Sequence, residues 1–104
     1  MPVFLGEGGE CTCRVKGIQY GDRSFFVQKL FVDDPVFLVR EPDNPHDPNA
    51  IKVCDASGNM LGYIPKEIAK NLAHHLDSDD EIYKCSMYNK PTLFQLEIRL
   101  RRVA

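Results

Sequence analysis

The sequence has no excess of basic side chains. It contains 13 lysines and arginines against 15 aspartates and glutamates in 104 residues, which gives a formal net charge of −2. A protein that follows a long stretch of DNA duplex through phosphate contacts is usually strongly basic. The charge therefore argues against that way of binding nucleic acid.

Long uncharged apolar runs are also missing, so no transmembrane helix is expected. The first ten residues carry Glu7 and Glu10 and no basic region, so we expect no secretory signal here. Length and composition fit one folded domain, which we place at residues 11–104 behind a lead-in at residues 1–10. We expect a domain that is not secreted, cytoplasmic if bacterial or phage-derived and nuclear if eukaryotic.

Signatures of catalysis and of structural zinc are absent as well. The sequence has no G-x-S-x-G, P-loop, G-x-G-x-x-G or H-E-x-x-H motif, so we expect no catalytic residue, no cofactor and no ATP-driven motion. Cys11, Cys13, Cys54 and Cys85 form one C-x-C and no C-x-x-C pair. Free thiols that point into a core are the simpler reading, and a zinc site completed by a histidine is the alternative.

What the sequence does contain is a succession of short strand patterns and one helix. Apolar residues recur at helical spacing after Pro65, which predicts a helix at about residues 65–76. Strands are predicted at residues 11–17, 25–32, 36–40, 51–54, 60–64, 82–88 and 93–103. In the last of these, Phe94, Leu96, Ile98 and Leu100 are expected to share one face. The pattern favours a mainly β, α+β fold: a small antiparallel barrel or sandwich of about six strands, closed by the helix.

The segment EPDNPHDPNA, residues 41–50, combines three prolines with acidic and amide side chains. Proline fixes φ and removes backbone donors, so we expect a stiff, ordered loop that could recognise a small chemical group. Tyr20 and Tyr63 could supply stacking faces beside it. Two alternatives remain open: Asp43, Asp47 and His46 could form a metal-dependent hydrolase site, or the carboxylates could only cap their own backbone.

Three stretches together resemble the HIRAN domain family. They are V-x-G-I-x-Y (residues 15–20), LVREPDNPHDPNAIKV (residues 38–53) and GYIPKEIA (residues 62–69), and the resemblance covers about residues 11–103. It implies an oligonucleotide-binding-like (OB-like) β-barrel with helical additions. Members occur in SWI/SNF-type DNA translocases and in bacterial and phage proteins. The best-studied members bind single-stranded DNA and capture its free 3′ end, which serves the remodelling of stalled replication forks.

The resemblance also implies roles for individual residues. Tyr20 matches an aromatic residue that stacks on a terminal base. Its neighbours depart from the DNA-binding pattern, because Gln19 stands in place of an arginine and Gly21 in place of a tyrosine. These departures remove one cation and one ring from the expected site.

The proline-rich loop and the helix supply the other implied site residues. Asp47 matches the aspartate that receives the terminal 3′-hydroxyl, and Asn44 matches the asparagine of the N-P pair. Lys66 matches a lysine that contacts phosphate. His46 and Tyr63 stand where tyrosine and histidine are found in the DNA-binding member, and Tyr88 is the nearest candidate for a further stacking phenylalanine.

These observations lead to one main hypothesis and one alternative. The main hypothesis is a non-catalytic domain that binds the 3′-hydroxyl end of single-stranded DNA in repair or fork processing, through the eight residues Gln19, Tyr20, Asn44, His46, Asp47, Tyr63, Lys66 and Tyr88. It needs no metal, cofactor or membrane, and a separately encoded helicase, translocase or nuclease is an expected partner. The alternative is a protein-interaction module of the same fold without strong DNA affinity.

Overall fold

The computed structural model describes residues 8–78 and 81–104, and within them the chain forms one curled antiparallel sheet with two helices. The strands are β1 (Glu10–Arg14), β2 (Pro35–Arg40), β3 (Ile51–Cys54), β4 (Met60–Tyr63), β5 (Tyr83–Asn89) and β6 (Glu97–Arg102), and the helices are α1 (Arg23–Gln28) and α2 (Lys66–Leu76). The strand order is β1-β6-β5-β2-β3-β4. Residues 1–7, most of the predicted lead-in, lie outside the described residues.

The two edges of the sheet meet just beyond β1. Lys16 N–H donates to the Tyr63 carbonyl and Tyr63 N–H donates to the Lys16 carbonyl, both at 2.8 Å. Gly62 makes this approach possible, because a Cβ there would lie 2.6 Å from Val15 Cγ1 and would also collide with the Lys16 carbonyl oxygen. The sheet therefore curls into a barrel-like shape, as the strand pattern predicts.

The inside of the curl is filled by the alternate residues of the strands and by one face of α2. Helix α2 begins after Pro65 and buries Ala69, Leu72 and Ala73. Burying such a face stabilises an amphipathic helix more than its propensity does. The prediction of an OB-like fold of about six strands with a helix at residues 65–76 is confirmed. Neither helix in the described part of the chain is long and apolar enough to cross a membrane.

The prediction of a strand at residues 25–32 is wrong, because this segment forms most of helix α1 and the turns that follow it. Aromatic and β-branched residues favour strands, but that preference depends strongly on what the side chains pack against. Val27 and Leu30 are both buried, three residues apart as on a helix. Phe25 and Phe31 are more than half exposed, so the alternation that a strand would need is absent.

The strand predicted at residues 93–103 begins only at Glu97. Residues 92–94 form a turn in which Phe94 N–H donates to Thr92 Oγ1 (3.4 Å). Phe94 is 55% exposed and does not share the core face with Leu96 and Ile98, which are fully buried. The predicted strand begins too early because it was assigned from hydrophobicity alone, and its first residues form a turn in the structure.

The cysteines are free, and three of the four are buried. Burial raises the pKa of both Cys13 and Cys85 to about 12, so these thiols stay protonated at neutral pH. Thiolate is the form that reacts and binds metals, so these side chains act as small apolar core residues. Three of the four thiols thus lie in the core as expected, and Cys11 is partly buried.

The close approach at Gly62 gives a test of the edge closure. Gly62→Ala should lower the free energy of unfolding by about 3 kcal/mol, because the added methyl group overpacks the contact with Lys16 and Val15. Gly58→Ala is the control. It has a left-handed φ of 86° in open surroundings and should cost only about 1–2 kcal/mol. Urea unfolding measures both, and equal losses would contradict the closure role.

Candidate functional site

The loop at residues 41–50 is held by its own polar side chains. Asn44 Oδ1 accepts the backbone N–H groups of His46 (2.9 Å) and Asp47 (3.1 Å). Asp47 Oδ1 in turn accepts the N–H of Asn49 (2.9 Å). The three prolines have no N–H that needs a partner. The expected stiff loop is therefore confirmed, and capping of the loop's own backbone accounts for part of its polar side chains.

Arg40 fixes the end of this loop to the rest of the fold. Its guanidinium donates to the carbonyl oxygens of Ala50 (2.8 Å) and Pro48 (3.1 Å). The same group forms an ion pair with Asp77 at the end of α2, with Nε 3.0 Å from Oδ1. One side chain thus joins β2, the loop and the helix.

Glu41 connects the loop to β4. Tyr63 OH donates to Glu41 Oε1 (2.7 Å), Asn44 Nδ2 donates to the same oxygen (3.1 Å), and Lys52 Nζ lies 3.9 Å from Oε2. The hydrogen bond from Tyr63 is the main cause that holds the pKa of Glu41 below its ordinary value. Desolvation and the bond to Glu41 raise the pKa of Tyr63, so the phenol keeps the proton it donates.

A cavity of about 470 Å³ opens between the loop, β4 and the start of α2. It is lined by Lys16, Asn44, His46, Asp47, Ala50, Tyr63, Ile64, Lys66 and Glu67. We call this the end pocket. The structure brings five of the predicted site residues to it: Asn44, His46, Asp47, Tyr63 and Lys66. Ala50 and Ile64 are buried and give it an apolar floor, and its volume lies in the range of small-molecule sites.

A second cavity, of about 520 Å³, lies on the other side of Tyr63 and Asn44. Glu41 and Asp43 contribute carboxylates to its wall, and among the described residues Arg40 is the one cation that lines it. The end pocket has two lysines, Lys16 and Lys66, against Asp47 and Glu67. An anionic ligand therefore finds more positive charge in the end pocket.

Tyr20 stands beside the end pocket, across the side chain of Arg23. The Arg23 guanidinium lies 5.8 Å from the centroid of the Tyr20 ring and 5.7 Å from that of Tyr63. The Tyr20 side chain is 62% exposed, so its ring is available to a ligand. Gln19 is exposed next to it, and Gly21 has a φ of 58° with open space around it.

Tyr88 is not among the residues that line the end pocket. It lies on β5, where its ring packs against the guanidinium of Arg99 at 5.1 Å from the centroid. The structure therefore does not bring this predicted site residue together with the five that line the end pocket.

Four polar residues of the site were not identified from the sequence: Lys16, Arg23, Glu41 and Glu67. Lys16 follows the outward alternation of β1, which is a signal that could have found it. Glu41 lies within the proline-rich stretch itself. Arg23 had no local signal, because the segment around it was interpreted as a turn and a strand.

The alternative of a metal-dependent hydrolase depends on a cluster of ligands. Among residues 8–78 and 81–104, no group of three or more histidine, cysteine, aspartate or glutamate side chains is arranged to hold a metal ion. Asp47 uses one carboxylate oxygen for Asn49, and Lys16, Lys66 and Tyr63 line the same pocket. Such a set of groups suits binding of a hydroxyl beside a phosphate better than hydrolysis.

Comparison with known proteins gives a family and several relatives. The chain matches the HIRAN domain over residues 8–101. It is 50% identical over 46 residues to helicase-like transcription factor of Oryctolagus cuniculus and 38% identical over 65 residues to a Fanconi-associated nuclease 1 homolog of Arabidopsis thaliana. These alignments cover 44% and 62% of this chain. They span only 5% and 7% of the two relatives.

Solved structures agree with this result. A protein from Lactobacillus plantarum has a TM-score of 0.78 at 28% identity, covering 90% of this chain and 97% of that one. The crystal structure of the HIRAN domain of human HLTF has a TM-score of 0.73 at 27% identity, covering 88% and 73%. The HLTF HIRAN domain in its DNA-bound conformation, solved by NMR, has a TM-score of 0.67 at 27% identity, covering 90% and 74%.

The Glu41–Tyr63 hydrogen bond can be tested by titration. Tyr63→Phe should raise the pKa of Glu41, because the largest cause of its depression is removed. A carboxyl group with a depressed folded pKa stabilises the fold above its unfolded value of about 4.3, and this contribution is lost as the pH falls through the folded pKa. The stability difference between the two proteins should therefore shrink at acid pH.

Carboxyl NMR titration of Glu41 measures the shift directly. Tyr83→Phe is the matched control, because Tyr83 OH donates to Glu81 (3.1 Å), away from the pocket. A Glu41 pKa that responds equally to both substitutions, or to neither, would contradict the network.

Proposed function

The chain belongs to the HIRAN domain family, and from this premise we propose that it is a non-catalytic DNA-binding domain that captures the 3′-hydroxyl end of single-stranded DNA. One observation carries the proposal. The end pocket combines two carboxylates, two ammonium groups and an aromatic ring around a space of about 470 Å³. A hydroxyl needs an acceptor, a nearby phosphate needs a cation, and a base needs a flat apolar face.

Asp47 is the proposed acceptor of the terminal hydroxyl. Its Oδ1 is used by Asn49 N–H (2.9 Å), and no described residue hydrogen-bonds to Oδ2. Oδ2 can therefore accept a hydrogen bond from a ligand without breaking the loop. A phosphate at the same place would meet the negative charge of Asp47, which gives a physical basis for preferring a hydroxyl end.

Tyr63, Tyr20 and Asn44 are the proposed contacts to the last bases. Tyr63 is oriented by Glu41, and Tyr20 presents an exposed ring beside it. Asn44 Nδ2 donates one hydrogen to Glu41 and has a second N–H that can reach a base. Because the tyrosines and the loop are held before a ligand arrives, less entropy is lost on binding.

Lys66 is the proposed phosphate contact at the start of α2. Its side chain is exposed and lines the pocket, and it occupies the first turn of an 11-residue helix, where the backbone N–H groups also favour an anion. His46 lines the same pocket and is proposed to contact the terminal nucleotide. We assign Gln19 and Tyr88 to contacts with nucleotides further along the strand, because both lie outside the pocket lining.

The relatives support DNA as the ligand and suggest a context. The HLTF HIRAN domain has been solved in its DNA-bound conformation, and that structure is similar to this chain. Other relatives are a helicase-like transcription factor and a nuclease homolog, and this chain aligns to only a small part of each. We propose that the domain delivers a helicase, translocase or nuclease activity, carried by a separate protein, to a DNA end in repair or replication-fork processing.

Asp47→Asn tests the end preference. The unmodified protein should bind a 5′-labelled strand of about ten nucleotides more tightly with a 3′-hydroxyl than with a 3′-phosphate, by about tenfold. Asparagine keeps the hydrogen bond to Asn49 but removes the charge, so the preference should fall toward equality. Asp55→Asn is the control, because Asp55 Oδ1 caps the β3–β4 hairpin in the same way at Ser57 (3.0 Å) and Asn59 (2.8 Å).

Fluorescence anisotropy with both strands gives the result. Equal affinity of the unmodified protein for the two ends would reject end capture. No binding at low salt would reject the DNA function itself and favour the protein-interaction alternative.

Lys66→Gln tests the phosphate contact. It should weaken both the hydroxyl-ended and the phosphate-ended strand and reduce the slope of log affinity against log salt by about 0.7, the value for one phosphate contact on a single strand. Lys70→Gln removes an equal charge from an exposed position one turn further along α2 and should leave the slope unchanged. A selective loss for one kind of end would contradict a general phosphate role.

A further inference from the structure

Arg23 has a position that neither the family resemblance nor the end pocket explains. It is the first residue of α1, and its side chain turns back so that NH1 donates to the carbonyl oxygen of Gly17 (2.8 Å). Gly17 has a φ of 78°, and a Cβ at that position would lie 3.0 Å from the same nitrogen. The backbone at Gly17 therefore both holds the guanidinium and leaves room for it.

The guanidinium lies between the two tyrosines of the proposed site. Its central carbon is 5.8 Å from the ring centroid of Tyr20 and 5.7 Å from that of Tyr63, within the range of cation–π attraction. Because one N–H is used by Gly17, the other donors of its planar group stay available to a ligand. The positive charge is thus fixed at the point where ligands on the two rings would meet.

We propose that Arg23 contacts the last internucleotide phosphate of the bound strand, which joins a nucleotide on Tyr63 to one on Tyr20. This inference rests on the proposed function, since it assumes a strand whose end lies in the end pocket. Two bases on two adjacent faces must be joined by one phosphodiester, and the cation between the faces is the group that phosphodiester would meet. Arginine suits this task because its planar group binds two phosphate oxygens at once.

The position also bears on the missing charge at Gln19. Gln19 precedes Tyr20 in sequence and has no charge, whereas Arg23 reaches Tyr20 from the start of α1. The site therefore retains a cation beside the Tyr20 ring, supplied by a different element of the fold. DNA affinity need not be lost with the departure at position 19.

The test compares a normal strand with one whose last internucleotide phosphate is replaced by a neutral methylphosphonate. In the unmodified protein this replacement should weaken binding by about tenfold, the effect of one charge-assisted contact. In Arg23→Gln, binding of the normal strand should already be about tenfold weaker, and the replacement should then add little. The salt slope of Arg23→Gln should fall by about 0.7.

Two further variants separate the phosphate contact from a structural role. Arg23→Lys keeps the charge and should retain the salt slope while recovering part of the affinity. Arg101→Gln removes an equal charge from an exposed position on β6 and should change neither the slope nor the methylphosphonate effect. Thermal unfolding of all variants reports any change in the fold itself.

The outcomes distinguish this inference from the proposed function. A methylphosphonate penalty of the same size in the unmodified protein and in Arg23→Gln would overturn the role of Arg23, even if both proteins prefer a 3′-hydroxyl end. Failure of the unmodified protein to bind any strand would instead overturn the proposed function on which the inference rests. A penalty that disappears only in Arg23→Gln supports the inference.

Discussion

The paired backbone hydrogen bonds between Lys16 and Tyr63 are the contact on which the rest of the site depends. They join the two edges of the curled sheet at 2.8 Å, where Gly62 leaves no side chain in the way. An unpaired sheet edge invites association with other chains, and this contact protects both edges at that point. It also sets the Lys16 and Tyr63 side chains on the wall of one pocket. The contact that closes the sheet therefore also positions two side chains of the site.

Two consecutive charged residues at the end of β2 hold the proline-rich loop in place. Arg40 binds the carbonyl oxygens at the far end of the loop and the carboxylate of Asp77, while Glu41 binds Tyr63 and Asn44. The prolines restrict the loop before folding, and these contacts fix what freedom remains. A loop ordered in advance can present a few polar groups to a ligand at low entropic cost.

The roles of the acidic side chains in the site help to explain the net charge of −2. Acidic side chains here orient neighbours: Glu41 holds a tyrosine and an asparagine, and Asp47 holds the loop backbone and leaves one oxygen toward the pocket. The cations of the site are few: Arg23 lies between the two tyrosine rings, and Lys16 and Lys66 line the pocket. This distribution is compatible with the proposed short footprint on the end of a strand, in which stacking would supply part of the affinity and few phosphates would be neutralised.

Local patterns in the sequence determined most strands, helix α2 and the stiffness of the loop at residues 41–50, because alternation, helical spacing and proline act over a few neighbouring residues. The same local rules failed at residues 25–32 and at Phe94, where what lies across the core or in a turn decides the outcome. These local rules also did not identify Arg23 as a residue of the site. Its place between Tyr20 and Tyr63 arises because the start of α1 packs beside the end of β4, two segments about forty residues apart in sequence. Only the tertiary structure brings such distant segments together, since their contact depends on how the whole sheet curls and closes.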